Sequence, residues 1–369
     1  MKLLLVSPFT STSGSAIRFW HIARHLARRG HRVVYAERRP QGEPPPPFQS
    51  VEYHSTPKLP NLYLDIVLSL TANLLLLARH FDCTIYYALK PAPNNGIPAL
   101  VAKLMRKRVF LDIDDLDYGY FPPGLRRRLS KLFFDALPRH FELVTCHTQK
   151  LREYITGRLG IPDERVFVLR QGISDVFLSY DLSGRSAEVA KSIVYAATLG
   201  ITSDFGDMLP MLADVCTSHP DLIINVIGDG VRRGEFERKA DEMGIRGNIR
   251  FHGRVPHQRL PEVMADNWIG INYMRPSLTN DCRAILKIRE YLALGLQVVC
   301  NDVGDAGEFH DYAYVEPDLE SMSGRLVTLL KGRMNANRAG RRFVKNEYRW
   351  EELISGFMAW ARIDGVLSA

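Results

Sequence analysis

The first 36 residues restrict the fold more than any other part of the chain. Residues 3–6, Leu-Leu-Leu-Val, form an apolar run short enough for a buried strand, and residues 7–15 are a Ser/Thr/Gly turn. Residues 16–29 have the spacing of a helix stopped by Gly30, and residues 31–36 read as a second strand. Strand, polar turn, helix and strand in this order make a βαβ unit, which requires a parallel sheet with right-handed crossovers. Strand-like runs at 83–88, 109–113 and 143–146 extend the series.

After residues 170–177 the pattern starts again. The polar, irregular stretch 179–190 reads as a linker. Strands at 192–197, 222–227, 249–251, 268–273 and 298–301 then alternate with helices at 235–243, 256–265 and 284–294. At 369 residues the chain exceeds one ordinary core of about 100–200 residues. The expected class is therefore α/β, with two Rossmann-like, doubly wound domains facing across a cleft and ligands outside the carboxyl ends of the strands. The domains are expected over residues 1–173 and 174–349. Residues 41–48, with four consecutive prolines, can only be a loop.

Composition separates the function classes. With 46% hydrophobic and 24% charged residues, the chain is globular rather than disordered. Its five cysteines, Cys83, Cys146, Cys216, Cys282 and Cys300, are odd in number and scattered, which fits free thiols in a reducing cytoplasm better than disulfides or a zinc site. The N-terminal apolar run stops at Ser7-Pro8, too early for a signal-peptide core. The longest apolar stretch, 62–78, is interrupted by Asp65, Ser69 and Asn73 and falls short of the roughly 20 apolar residues of a bilayer-spanning helix; a buried or interfacial helix is expected.

The net charge of +7 is unevenly placed. Residues 1–170 hold 25 Lys/Arg against 14 Asp/Glu, and residues 171–369 hold 23 against 27. Clusters stand at Arg24, Arg28 and Arg29, at Lys103, Arg106, Lys107 and Arg108, and at Arg126, Arg127, Arg128 and Lys131. Each such residue near an anionic lipid surface contributes about 1 kcal/mol of attraction, and nucleic acid would be attracted too. Solvated helix faces are the plain alternative. An anionic membrane surface, not nucleic acid, is the expected partner.

Two phosphate-binding motifs are ruled out. Gly228-Asp-Gly230 follows a strand, but the third glycine of G-x-G-x-x-G falls on Arg233, and no Gly-x-x-x-x-Gly-Lys-Ser/Thr loop exists. The most informative segment runs Lys287-Ile-Arg-Glu290-Tyr-Leu-Ala-Leu-Gly-Leu-Gln-Val-Val-Cys-Asn-Asp-Val-Gly304-Asp-Ala-Gly-Glu308. It resembles the donor-site signature of the GT-B glycosyltransferase superfamily, family 4-like members above all (glycosyl transferases group 1). Ile-Asn-Val-Ile-Gly-Asp-Gly, Ile-Arg-Phe-His-Gly-Arg-Val-Pro and Tyr-Ala-Ala-Thr-Leu-Gly stand upstream in the same order as in that superfamily, so the resemblance covers nearly the whole chain.

The resemblance implies transfer of a sugar from a nucleotide-sugar, held by the second domain, to an acceptor held by the basic first domain. A lipid-linked sugar or a growing cell-surface glycan fits the charge distribution best. It also implies that the final segment, 350–369, returns to the first domain; there Leu353, Ile354, Phe357, Trp360 and Ala361 recur at helical spacing. No cofactor and no metal is expected, and the location implied is the cytoplasmic face of a membrane. A same-fold epimerase or hydrolase and a catalytically silent sugar-nucleotide-binding protein are the alternatives.

Physical chemistry gives the candidate residues their roles. A nucleotide-sugar brings a ribose diol and a diphosphate, so its site needs a carboxylate for the hydroxyls and donors for the phosphates. Glu290 and Lys287, three apart on one helix, can meet both needs, although the same spacing makes an ordinary intrahelical ion pair. Glu308 completes the family pattern. The superfamily's second glutamate is replaced by Cys282, and its Arg and Lys after the first strand of the second domain are replaced by Ile201-Thr-Ser-Asp-Phe-Gly206. Diphosphate neutralisation is therefore assigned to Lys287, with Arg275 or Arg283. In the first domain, Asp112, Asp114, Asp115 and Asp117 end a strand, and Asp114 replaces the histidine of the family's Asp-x-His-Asp. Asp114, with Asp115, is the candidate general base. Helix capping, relief of nearby arginines and a magnesium site are the other readings. Ser13, Gly14 and Ser15 form a turn whose amides can touch phosphate or acceptor, or simply turn the chain.

Overall fold

The computed structural model describes residues 1–11, 14–39, 50–182, 191–332 and 335–363. The chain divides into two units, Met1–Gly172 with Trp350–Ala369, and Ile173–Arg349. The expected loop at 41–48 and most of the expected linker, 183–190, lie outside the described residues.

Unit 1 is built on a seven-stranded sheet: β1 (Lys2–Val6), β2 (Arg32–Arg39), β3 (Glu52–Pro57), β4 (Ile85–Leu89), β5 (Arg108–Ile113), β6 (Leu143–Cys146) and β7 (Val166–Val168). The order is β3-β2-β1-β4-β5-β6-β7 and every pairing is parallel. β1 lies in the middle and Leu3–Val6 are buried, which explains a continuous apolar run where a one-sided strand would alternate. On one face Leu3, Leu5, Phe19, Ile22, Tyr87 and Phe110 share a core with Trp350, Ile354, Phe357 and Met358. The helix Trp350–Trp360 thus belongs to unit 1, and His21 stacks on Trp350 with ring centroids 4.8 Å apart. Gly172 lets it dock: a Cβ there would stand 2.5 Å from the Trp350 indole.

The helix Leu62–Arg79 is turned inside out. It buries Ser69, Asn73 and Leu77, while Tyr63, Leu64, Val67 and Leu75 are exposed. The polar seam has its partners on the helix Pro93–Leu104: Asn73 donates to the Asn94 carbonyl at 2.8 Å, and Asn94 donates to Ser69 Oγ at 2.9 Å. With 18 residues of mean hydropathy 1.6 it is long and apolar enough to cross a membrane, and only 22% of it is buried. The helix Leu125–Ala136 likewise exposes Leu125, Leu129 and Leu132, at successive helical turns, beside Arg126 and Arg128.

Unit 2 carries six parallel strands: β8 (Ser192–Ala196), β9 (Ile223–Ile227), β10 (Ile249–Gly253), β11 (Ile269–Asn272), β12 (Gln297–Asn301) and β13 (Tyr314–Glu316), ordered β10-β9-β8-β11-β12-β13. Both faces are covered by apolar clusters. Gly228 has φ +136°, and a Cβ there would fall 1.8 Å from the Ala197 carbonyl oxygen. The Gly228-Asp-Gly230 motif therefore serves a close backbone approach at the strand end. All five cysteines are free and buried.

Candidate active site

In each unit the expected residues gather just beyond the carboxyl ends of the strands, where a doubly wound sheet leaves its loops free to bind. In unit 1 the centre is a residue the sequence reading did not single out. Lys90 follows β4, is buried, and has φ +67°, a left-handed conformation rare for a side chain of this size. Its Nζ lies 2.7 Å from Asp114 Oδ1, 2.5 Å from Asp117 Oδ1, and 5.5 Å from the Phe9 ring centroid. Asp114 and Asp117 come from the turn after β5, and His147 from the turn after β6.

These charges fix one another's protonation. Burial works against the Asp114 carboxylate, but Lys90, His147 and a hydrogen bond from Ser15 hold it below the usual range. Burial, with Asp114's charge, pushes Asp117 up. Burial opposes the Lys90 ammonium as well, yet Asp114, Asp117 and Asp115 raise it well above an ordinary lysine. In this structure the two carboxylates are thus paired with a lysine ammonium. A carboxylate held low is a weak proton acceptor at neutral pH, so Asp114 is better placed to hold a hydroxyl than to strip it unaided. Asp115 is half-buried beside this group.

Beneath lies a second buried pair. Arg18 Nε and Nη2 reach Asp112 at 3.0 and 3.1 Å, Thr145 donates to Asp112 Oδ1 at 2.6 Å, and Arg18 also donates to the carbonyls of Leu169 and Arg170. Asp112 thus belongs to the scaffold. Gly14 opens the helix Gly14–Arg28 with φ +29°, and Ser15 reaches Asp114. Ser13 lies outside the described residues.

In unit 2 the helix Leu286–Ala293 brings Lys287 and Glu290 together: Lys287 Nζ donates to Glu290 Oε2 at 2.5 Å. Glu290 is 1% exposed, and its other oxygen, Oε1, is buried with no hydrogen-bond partner among the described residues. A buried acceptor left so costs about 1–3 kcal/mol unless something donates to it. His257 stands close by; burial lowers its basicity, with Glu290 opposing and Lys287 reinforcing.

The remaining residues frame this pair in different ways. Arg289, on the same helix, is buried in an ion pair with Asp305, whose Oδ1 accepts from the Ile285 amide at 2.8 Å; together they tie the loop after β12 to the helix start. Glu308 ends that loop and accepts from the Tyr348 hydroxyl at 2.9 Å. Arg283 donates to Asn280 at 3.3 Å. Arg275 is exposed and forked onto Asp207, with Nη2 to Oδ2 at 2.7 Å, so it must leave that partner to meet a phosphate. Two signals went unread: a lysine closing an apolar run before Pro91, and a histidine after Val255-Pro256.

The profile of Glycosyltransferase Family 4 matches residues 12–176, and that of Glycosyl transferases group 1 matches residues 190–332. The chain belongs to the GT-B glycosyltransferase superfamily. A curated relative of this chain is the phosphatidylinositol N-acetylglucosaminyltransferase gpi3 subunit of Schizosaccharomyces pombe, 22% identical over 56% of this chain and 45% of the relative. The corresponding subunit of Saccharomyces cerevisiae is 24% identical over 46% of this chain and 37% of its own length. The chain therefore spans less than half the length of the curated relatives it matches. Among solved structures, Anabaena HepE in complex with UDP has a TM-score of 0.75 at 13% identity, with 98% of this chain and 100% of that one covered. WaaG, a glycosyltransferase involved in lipopolysaccharide biosynthesis, has a TM-score of 0.73 at 17% identity, with 99% and 100% covered. At such identities the likeness shows a shared fold.

Proposed function

We propose that the protein transfers a sugar from a nucleotide-sugar to a lipid-linked or cell-surface glycan acceptor at the cytoplasmic face of an anionic membrane. The observation that carries this reading is Glu290: a buried carboxylate with one oxygen engaged by Lys287 and the other, without a partner among the described residues, able to accept from a ribose hydroxyl. Lys287 is a quarter exposed and is the cation for the diphosphate, assisted by Arg283 and by Arg275 once Asp207 releases it. Glu308 frames the donor through the loop it shares with Asp305. In unit 1, Asp114 and Asp115 receive the acceptor hydroxyl, while Gly14 and Ser15 line the approach. No cofactor takes part.

The lipid part of the reading has two supports. The exposed apolar faces of Leu62–Arg79 and Leu125–Ala136 lie in the basic unit, and a helix with an outward apolar face and flanking arginines suits an interfacial position. A relative's name pairs phosphatidylinositol with N-acetylglucosaminyl transfer. The test is nucleotide release from a panel of nucleotide-sugars, with and without lipid-linked acceptor. Release that requires acceptor and disappears in Glu290→Ala supports the transfer. Acceptor-independent release points to a hydrolase. Binding without release or interconversion points to a silent binding protein.

A further inference from the structure

At the far edge of the unit 1 sheet, away from the strand ends of the candidate site, three side chains converge on one point. Glu52 and His54 stand two apart on β3, so they share a face, and His80 caps the end of the helix Leu62–Arg79. His54 Nε2 lies 3.0 Å and His80 Nε2 3.4 Å from the same oxygen, Glu52 Oε1. One ligand atom from each of the three residues falls within 4.8 Å of the others, and the two rings meet edge to face with centroids 5.5 Å apart. His80 is 4% exposed, and its Nε2, turned into this cluster, is buried with no hydrogen-bond partner among the described residues.

A tetrahedral zinc ion with bonds of about 2.0–2.1 Å keeps its ligand atoms about 3.3–3.4 Å apart. The Glu52–His80 separation has that value, and the Glu52–His54 separation is a few tenths shorter. We propose that Glu52, His54 and His80 bind one zinc-class divalent cation, with the remaining position open to water on the exposed side of Glu52. Two imidazoles and one carboxylate are a ligand set suited to zinc rather than to magnesium or calcium, which take oxygen. Two cations stand near, Lys2 and Arg79, and the first is already paired with Asp82 at 2.6 Å. The ion would fasten an edge strand, otherwise held on one side only, to the end of the helix that presents the apolar face. This site takes no part in donor or acceptor binding, so it stands apart from the transfer reaction.

The experiment is titration of untagged full-length protein with Zn2+ alone, followed by calorimetry and thermal unfolding. One equivalent should bind, and the unfolding midpoint should rise. His54→Ala, at a partly exposed position, should weaken binding by roughly tenfold or more, since even outer-shell changes cost about 10–100-fold. Glu52→Gln should do the same, and neither variant should gain thermal stability from zinc. Nucleotide-sugar binding should be unaltered in both. Absence of saturable binding to the wild type would overturn the proposal. So would undiminished binding in both variants, which would place the ion on others of the eleven histidines.

Discussion

The two groups of charged residues at the strand ends differ in one respect: in unit 1 the buried charges face each other, and in unit 2 one is left open. Lys90 draws Asp114 and Asp117 onto itself, with Ser15 and His147 closing the group. Glu290 has Lys287 on one oxygen and nothing on the other among the described residues. A closed group is part of the folded state's own balance, so removing its cation should be felt first in stability, whatever Asp114 also offers an acceptor hydroxyl. An open one awaits a donor, so changing it should be felt in ligand affinity. The difference teaches that equal burial does not mean equal role.

The largest effect that can break this comparison lies in unit 1. Lys90→Met leaves two carboxylates without their cation and should destabilise the protein by about 3–5 kcal/mol, read from urea unfolding. Its pH dependence has a definite sign. Asp114, depressed in the folded state, contributes stability above the unfolded aspartate value of about 3.9 and loses it as the pH falls through its lower folded value. Lys90, raised, contributes stability below about 10.4 and loses it as the pH rises through its higher folded value. Asp117, raised, works against Asp114 as the pH climbs through the acid range. The gap between wild type and Lys90→Met should therefore be widest between these limits and close in strong acid and strong base. A gap below 1 kcal/mol at neutral pH would mean that unit 1 is not closed in the sense described.

The next effect belongs to unit 2. Glu290→Ala should weaken nucleotide-sugar binding by about 1.5–3 kcal/mol, the range for hydrogen bonds to a charged group, with little change in the unfolding midpoint. Lys287, being partly exposed, can return to water in that variant. Equal affinity of wild type and variant by calorimetry on folded protein would remove Glu290 from the site. The smallest effect sharpens the membrane reading. Arg128→Ala should lower binding to acidic vesicles by about 1 kcal/mol at low salt. The loss should fade as the Debye length shrinks from about 10 Å at 0.1 M salt to about 3 Å at 1 M. Binding that resists salt would point to the apolar faces instead of the arginines.

What the sequence by itself determined is the alternation of buried strands and helices in two halves, the carboxylate and lysine of one helix, and the restart of the pattern near residue 173. Central strands such as Leu3–Val6 are covered on both faces, so burial writes itself into an unbroken apolar run. The strands that went unread, β3, β7 and β13, all lie at sheet edges, where half-exposure permits Glu52, His54 or Glu316 and erases the signal. Only the tertiary structure decided that Leu62–Arg79 turns its polar seam inward, because Asn94 and Asn95 arrive from another helix to satisfy Ser69 and Asn73. It alone decided that Lys90 closes the Asp114 group and that Glu290 keeps an oxygen without a partner among the described residues. Hydrophobic periodicity is a local property and can be read along a chain, whereas the pairing of buried charges depends on which strand ends lie side by side, and that order is set by packing.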